Sequence, residues 1–198
     1  MRPVILLALL AMGSPTAALA SSINFLNSGG TLSGSSAGLT LTGSTLTEMG
    51  SITGNLGTVS FSTGALTSGN LQQGATFMGG GTFTITGNGT NGVPNGPIFT
   101  GTFTGPVTWT LVTTNGTHSY QMSGTVTGTW FTGATLNGKT VGETINLGST
   151  FFGTSATFGK GNTNIVTSVV PELGSLTLLG TGLFGLAGVV WRKLKLPT

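Results

Sequence analysis

Residues 97–111 read Pro97-Ile98-Phe99-Thr100-Gly101-Thr102-Phe103-Thr104-Gly105-Pro106-Val107-Thr108-Trp109-Thr110-Leu111. From Phe99 the odd positions are Phe, Gly, Phe, Gly, Val, Trp and Leu, whereas most even positions are threonine. Successive side chains of a β-strand point to opposite faces, so a period of two with one apolar and one threonine face predicts a half-buried strand. Fifteen extended residues would reach roughly 50 Å, and Gly105-Pro106 is expected to bend or divide the run. Asn115-Gly116 then supplies a tight turn of the kind that needs positive φ. The return strand alternates again, with Tyr120, Met122, Gly124, Val126, Gly128 and Trp130 set against Gln121, Ser123, Thr125, Thr127 and Thr129. The two runs predict a long hairpin.

Working outward, the same rule appears in Thr82-Phe83-Thr84-Ile85-Thr86 and in Val59-Ser60-Phe61-Ser62. Leu39-Thr40-Leu41-Thr42 and Leu46 to Ile52 are read as early strands, and Asn88 to Pro97, rich in Asn-Gly pairs and proline, as a loop. Asn137-Gly138 is read as a second turn, leading to Val141, Ile145, Leu147 and Phe151 as an apolar face alternating with Thr140, Thr144, Asn146 and Thr150. No convincing helical period occurs between Ser21 and Val170. The expected fold is all-β: an antiparallel sandwich or barrel-like sheet. A β-solenoid would need a fixed repeat, and none is found.

Nine residues are charged, and Asp and Cys are absent. Between Ser21 and Val170 the charges are Glu48, Lys139, Glu143 and Lys160, which cancel, so the formal +3 belongs to the ends. A nucleic-acid partner, which requires clustered Lys and Arg, is not expected. Without cysteine there is no disulfide, thiolate nucleophile, thiolate metal site or cysteine-linked lipid. Threonine supplies 34 of the 150 residues from 21 to 170. It suits a pleated sheet and keeps an outer face wet without charge. Sheet edges with so few gatekeeper charges would favour edge pairing or self-association.

The ends differ from this body. Arg2, the apolar run Val4 to Met12, and small residues at Ala18 and Ala20 form a secretory signal, with cleavage expected after Ala20 to leave Ser21 first. The run is too short to span a bilayer, which takes about 20 residues. Leu173 to Trp191 is a stretch of 19 uncharged residues that as a helix covers about 28 Å, enough to span. Arg192, Lys193 and Lys195 follow it, which predicts a cytoplasmic C-terminus, and Trp191 suits the interface. Thr177, Thr181 and Gly185 form a small-residue stripe along that helix.

Val170-Pro171-Glu172, the Gly/Leu-rich span and Arg192-Lys193 together resemble the PEP-CTERM sorting signal of Gram-negative bacteria. Leu173 stands where that family's motif has its second proline, a difference that bears on cleavage rather than on membrane insertion. The resemblance covers about 28 of the 198 residues. It implies processing near Pro171-Glu172 by an exosortase, delivery to the surface, and a link to exopolysaccharide. The expected organisation is a signal peptide at 1–20, a Gly/Thr-rich β domain at 21–159, a linker at 160–170, and a sorting tail at 171–198 with its transmembrane helix at 173–191. Expected partners are the signal peptidase and export machinery, an exosortase-like enzyme, the membrane, and extracellular polysaccharide.

The residues that carry chemistry are few. His118 is the only histidine and lies beside the Asn115-Gly116 turn; Glu48 and Glu143 are the only body carboxylates, the latter expected in a surface pair with Lys139. Paired carboxylates at the right gap hydrolyse glycosides, but one pair in a whole domain is no pattern. One His and two Glu fall short of a metal site, and Gly79-Gly80-Gly81 precedes a strand rather than the helix a phosphate cradle needs. No catalytic residue, metal or cofactor is therefore expected. Trp109 and Trp130 share a face with Phe103 and Val126, which assigns them to the core, while Phe131 falls on the threonine face as an exposed aromatic and candidate glycan contact. The leading expectation is a non-enzymatic surface or matrix protein, with a carbohydrate-binding or adhesive module as alternative. Thr-x-Thr rows such as 82–86 also suit an ice-binding surface, but strands of unequal length interrupted by bends argue against equal rungs.

Overall fold

The computed structural model describes residues 21–167; the signal-peptide and sorting-tail expectations lie outside the described residues. Twelve strands follow in order: β1 (Ser21–Ser28), β2 (Thr31–Ser35), β3 (Gly38–Met49), β4 (Ile52–Ser62), β5 (Leu66–Asn70), β6 (Gly74–Phe77), β7 (Gly80–Asn88), β8 (Asn95–Phe103), β9 (Val107–Thr114), β10 (Thr117–Trp130), β11 (Thr135–Thr144) and β12 (Ser155–Thr167). Every pairing is antiparallel. The described residues contain no α-helix, only a short 3-10 turn at Thr90–Gly92.

The register shows that several strands are halves of longer staves. β1 and β2 face β12 without a break, Ser28↔Lys160 continuing as Thr31↔Thr157. In the same way β4 and β5 face β7 and β6, Ser62↔Thr82 continuing as Ser68↔Thr76. β8 and β9 both face β10, but between Phe103↔Val126 and Thr108↔Ser123 one side advances five residues and the other three. The two surplus residues are taken up in the kink at Thr104-Gly105-Pro106, where the sequence predicted a bend. Eight staves result, each paired with its neighbours in sequence, and β12 returns to pair with β1 from Ser21↔Thr167 to Ser28↔Lys160. The sheet is a closed up-and-down barrel, which decides between the sandwich and barrel alternatives. Closure also removes the long free edges that favoured self-association.

Eight strands enclose an interior just wide enough for side chains to fill. Phe61, Phe83, Phe99 and Phe103 form one aromatic group, with Phe83 and Phe103 edge to face at 5.9 Å. Trp109 stacks on Tyr120 at 4.9 Å and both meet Phe152 edge-on. Glycines on the inner wall make room for these rings. A Cβ on Gly124 would sit 2.8 Å from the Phe103 ring, and one on Gly142 2.6 Å from Phe158. Buried polar atoms are satisfied as burial requires. The Trp109 indole N–H donates to the Leu71 carbonyl at 2.9 Å, and the Tyr120 hydroxyl donates to the Gln72 carbonyl at 2.7 Å. The same hydroxyl accepts the Phe152 N–H at 3.1 Å, so the 71–72 turn and the 152 loop cover one end of the barrel.

Several sequence expectations change. Leu46 to Ile52 is not one strand: β3 ends at Met49 and Ile52 opens β4. Asn137-Gly138 is not a turn but the middle of β11, whose preceding turn lies at 131–134 with Gly133 at φ 90°. Gly138 is there because Ile165 Cδ1 fills the place of its side chain, 2.6 Å from where a Cβ would be. The faces of β11 are the reverse of those expected. Thr140 and Thr144 are buried, bonded to the Thr163 hydroxyl at 2.9 Å and the Tyr120 N–H at 3.0 Å, while Val141 turns outward. Ile98 lies in the threonine register yet is fully buried, because the β7–β8 pairing shifts at Ile85/Thr86; its Cδ1 and Val93 Cγ1 fill the space beside Gly87. The expected linker at 160–170 is corrected as well: residues 160–167 belong to β12. Their Gly/Asn/Thr composition looked loose, yet they pair with β11 on one side and β1 on the other.

Candidate functional site

The four charged side chains of the described residues sit on β3 (Glu48), β11 (Lys139, Glu143) and β12 (Lys160), one sector of the ring. Glu143 pairs with Lys160 across the strands, Nζ to Oε2 at 3.7 Å, and not with Lys139. Four residues along a strand separate side chains by about 13 Å, so the expected partner was out of reach. Lys160 is 78% exposed and Glu143 36%, which makes the pair worth little to stability. It borders a groove of about 440 Å³ whose lining includes Leu26, Gln121, Val141 and Asn162. Glu48 lies three strand positions from Glu143, roughly 14 Å along the sheet, wider than a glycosidase pair.

His118 stands in the second position of β10. Its Nδ1 is 3.1 Å from the Thr113 hydroxyl, and its ring stacks on Phe151 at 4.4 Å. Its backbone is fixed by the 145–148 segment, donating to the Gly148 carbonyl and accepting from the Leu147 N–H. The structure thus gives this histidine a hydroxyl and a ring as neighbours.

The other sector is different in kind. Residues 49–138 carry no formally charged side chain. Register assembles their threonines into rows that run across the strands. Ser60↔Thr84, Thr84↔Thr100, Thr100↔Thr129 and Thr129↔Thr135 form one row over β4, β7, β8, β10 and β11. Ser62↔Thr82, Thr102↔Thr127 and Thr127↔Asn137 flank it, with Thr58↔Thr86 on the far side. Neighbouring strands lie about 4.8 Å apart and alternate residues along a strand about 6.6 Å, so this is a grid of hydroxyls and methyls. Such a wall is the reverse of an outer-membrane barrel, which turns an apolar band outward and polar residues inward.

Phe131 ends this grid, two positions beyond Thr129. It is 52% exposed, with its ring 5.1 Å from that of Trp130. Its N–H donates to the Ile98 carbonyl at 2.8 Å, and the turn is closed by Gly133 N–H to the Trp130 carbonyl. Trp109 and Trp130 lie in the core, as their register indicated. Alternation along each strand placed the threonines outside, but the rows depend on registers between strands far apart in sequence. No local signal carries those. Of the other predicted site residues, Ser21 opens β1, while Ala18, Ala20, Pro171, Glu172, Arg192 and Lys193 lie outside the described residues. Among the described residues no cluster of metal-ligating side chains occurs. Compared with known proteins, the chain matches no family model, no curated protein and no solved structure.

Proposed function

We propose that this is an exported, non-enzymatic protein of the cell surface or extracellular matrix, delivered through its two hydrophobic ends and displayed as the barrel. The observation that carries the reading is the closing pair Ser21↔Thr167. The described barrel reaches from Ser21, the residue after the expected signal cleavage at Ala20, to Thr167, which precedes Pro171 in the chain. Removal of both ends at those points leaves every stave and strand pairing of the described residues in place, which fits a protein cut twice on its way out. The uncharged hydroxyl wall and the interior packed with buried aromatic side chains further support a displayed scaffold. In this reading the signal peptidase and an exosortase-like enzyme are the processing partners, the tail holds the protein in the inner membrane before release, and extracellular polysaccharide is its surroundings.

The test is to read both termini of the protein recovered from outside the cell. Mass spectrometry is expected to find Ser21 at or next to the N-terminus and a C-terminus close to Pro171-Glu172. Cells lacking the exosortase are expected to retain tail-bearing protein in the membrane. Soluble extracellular protein that still carries Met1 or Lys195 would overturn the reading.

A further inference from the structure

We propose that the wall around Phe131 binds an uncharged polysaccharide chain, an inference that rests on the surface-or-matrix reading above and names the partner's chemistry. The central observation is an aromatic ring, 52% exposed, at the edge of a neutral hydroxyl grid. Thr129 lies two residues before it on β10, with Thr100 opposite on β8 and Thr135 opposite on β11. A pyranose has apolar C–H faces and an equator of hydroxyls. An aromatic face takes the first, and hydroxyls that both donate and accept take the second. The platform is already built: the Phe131 ring lies against that of Trp130, and its backbone is tied to Ile98 and to the Gly133 turn. Little ordering is therefore lost on binding.

The charge pattern selects among partners. Residues 49–138 offer no Lys or Arg to meet a carboxylate or sulfate and no Asp or Glu to meet an amine, and the nearest charge, Lys139, stands opposite Thr125 at the end of the grid away from Phe131, about 20 Å along the strand. An anionic polymer would lose hydration there without gaining an ion pair. A neutral chain loses nothing of the kind. An ice face is planar, whereas these rows turn with the wall of a closed barrel, so their methyls and hydroxyls do not share a plane. The groove beside Glu143 and Lys160 lies in the other, charged sector and has no aromatic ring among its lining residues.

The experiment is electrophoresis of the full-length protein, in non-ionic detergent, through native gels cast with hydroxyethylcellulose, dextran or alginate. Retardation is expected in at least one neutral gel and not in alginate, and it should persist when salt is raised from about 0.05 M to about 0.5 M, since no charge pair is screened. Phe131→Ala should weaken the interaction at least about fivefold, as loss of a central aromatic contact does. Phe131→Trp should keep it, and Thr100→Val with Thr129→Val should weaken it while the thermal midpoint stays put. Silence in both neutral gels, equal retardation in alginate, loss of binding at high salt, or an unaltered Phe131→Ala variant would each overturn the proposal. Fractionation of the same cells separates the two readings. Protein at the surface with silent gels defeats the polysaccharide site alone, whereas protein confined to the cytoplasm defeats the surface reading beneath it.

Discussion

Two glycines in one stretch show how residue type is decided by space. Gly101 stands inside the barrel wall opposite Gly128, and a Cβ there would meet the Thr127 carbonyl oxygen and the Gly128 Cα, both backbone. Gly105 lies in the kink, where the nearest atom to a Cβ is the Thr125 hydroxyl at 3.5 Å, an ordinary contact. Gly101→Ala is therefore expected to cost about 2 kcal/mol or more through overpacking, and Gly105→Ala to change stability by less than about 1 kcal/mol. Urea unfolding of the two variants checks this, and equal midpoints would contradict the packing account. Alternation alone ranks these glycines together. It did place Trp109 inside, because a large aromatic in an apolar register has one good environment. It misplaced Val141 and Thr140, since both are β-branched and either tolerates either face. The choice was made by the Phe158 ring, which occupies the space beside Gly142, and by Thr163, whose hydroxyl gives the buried Thr140 a partner.

Elements were legible where turn chemistry and alternation agreed. The hairpin of β9 and β10 closes through Asn115 and Gly116 at φ 51° and 74°, the geometry that the Asn-Gly pair announces. Asn137-Gly138 carries the same letters but lies within β11, flanked on both sides by β10 and β12, so its backbone is held extended by pairing. Context of that sort is invisible to a dipeptide. The distinction can be measured. Gly116→Ala forces a side chain into the left-handed region and is expected to destabilise by about 1 kcal/mol. No neighbour lies within 4 Å of its Cβ position, so the loss is purely conformational. Gly116→Asn, which tolerates that region better, should recover part of it. Thermal melts of the three proteins give the order Gly, Asn, Ala; a destabilisation by Asn as large as that by Ala would remove the turn argument. The candidate site follows the same division. Phe131 was readable as an exposed aromatic, whereas the row through Ser60, Thr84, Thr100, Thr129 and Thr135 exists only once five strands are registered.

At the scale of the molecule, the decisive step is the return of β12 to β1, joining residues 146 positions apart at Ser21↔Thr167. Composition hides this step, because Lys160-Gly161-Asn162-Thr163-Asn164 looks like a linker and is instead the closing stave. Ile165 and Thr163 point inward from it and are almost wholly buried, and Asn27 fills the space beside Gly161. Without it β11 and β1 would each present an open edge, and the interior would face water along one side. A chain of residues 21–167 is therefore expected to give a β-type circular dichroism spectrum, negligible helix, and a cooperative melt at the same midpoint as the full-length protein. A chain of residues 21–159, which stops where composition changes, should lose that cooperative melt and associate through its new edges. The strand loses eight of its thirteen residues in this truncation, including the whole of its pairing with β1. Size-exclusion chromatography and thermal melts of the two chains decide the matter. Equal stability would mean that residues 160–167 are dispensable after all and that the barrel does not depend on closure. A melt lost from 21–159 and kept in 21–167 would show that the closing stave within 160–167 belongs to the fold and that the sorting tail is not needed for it.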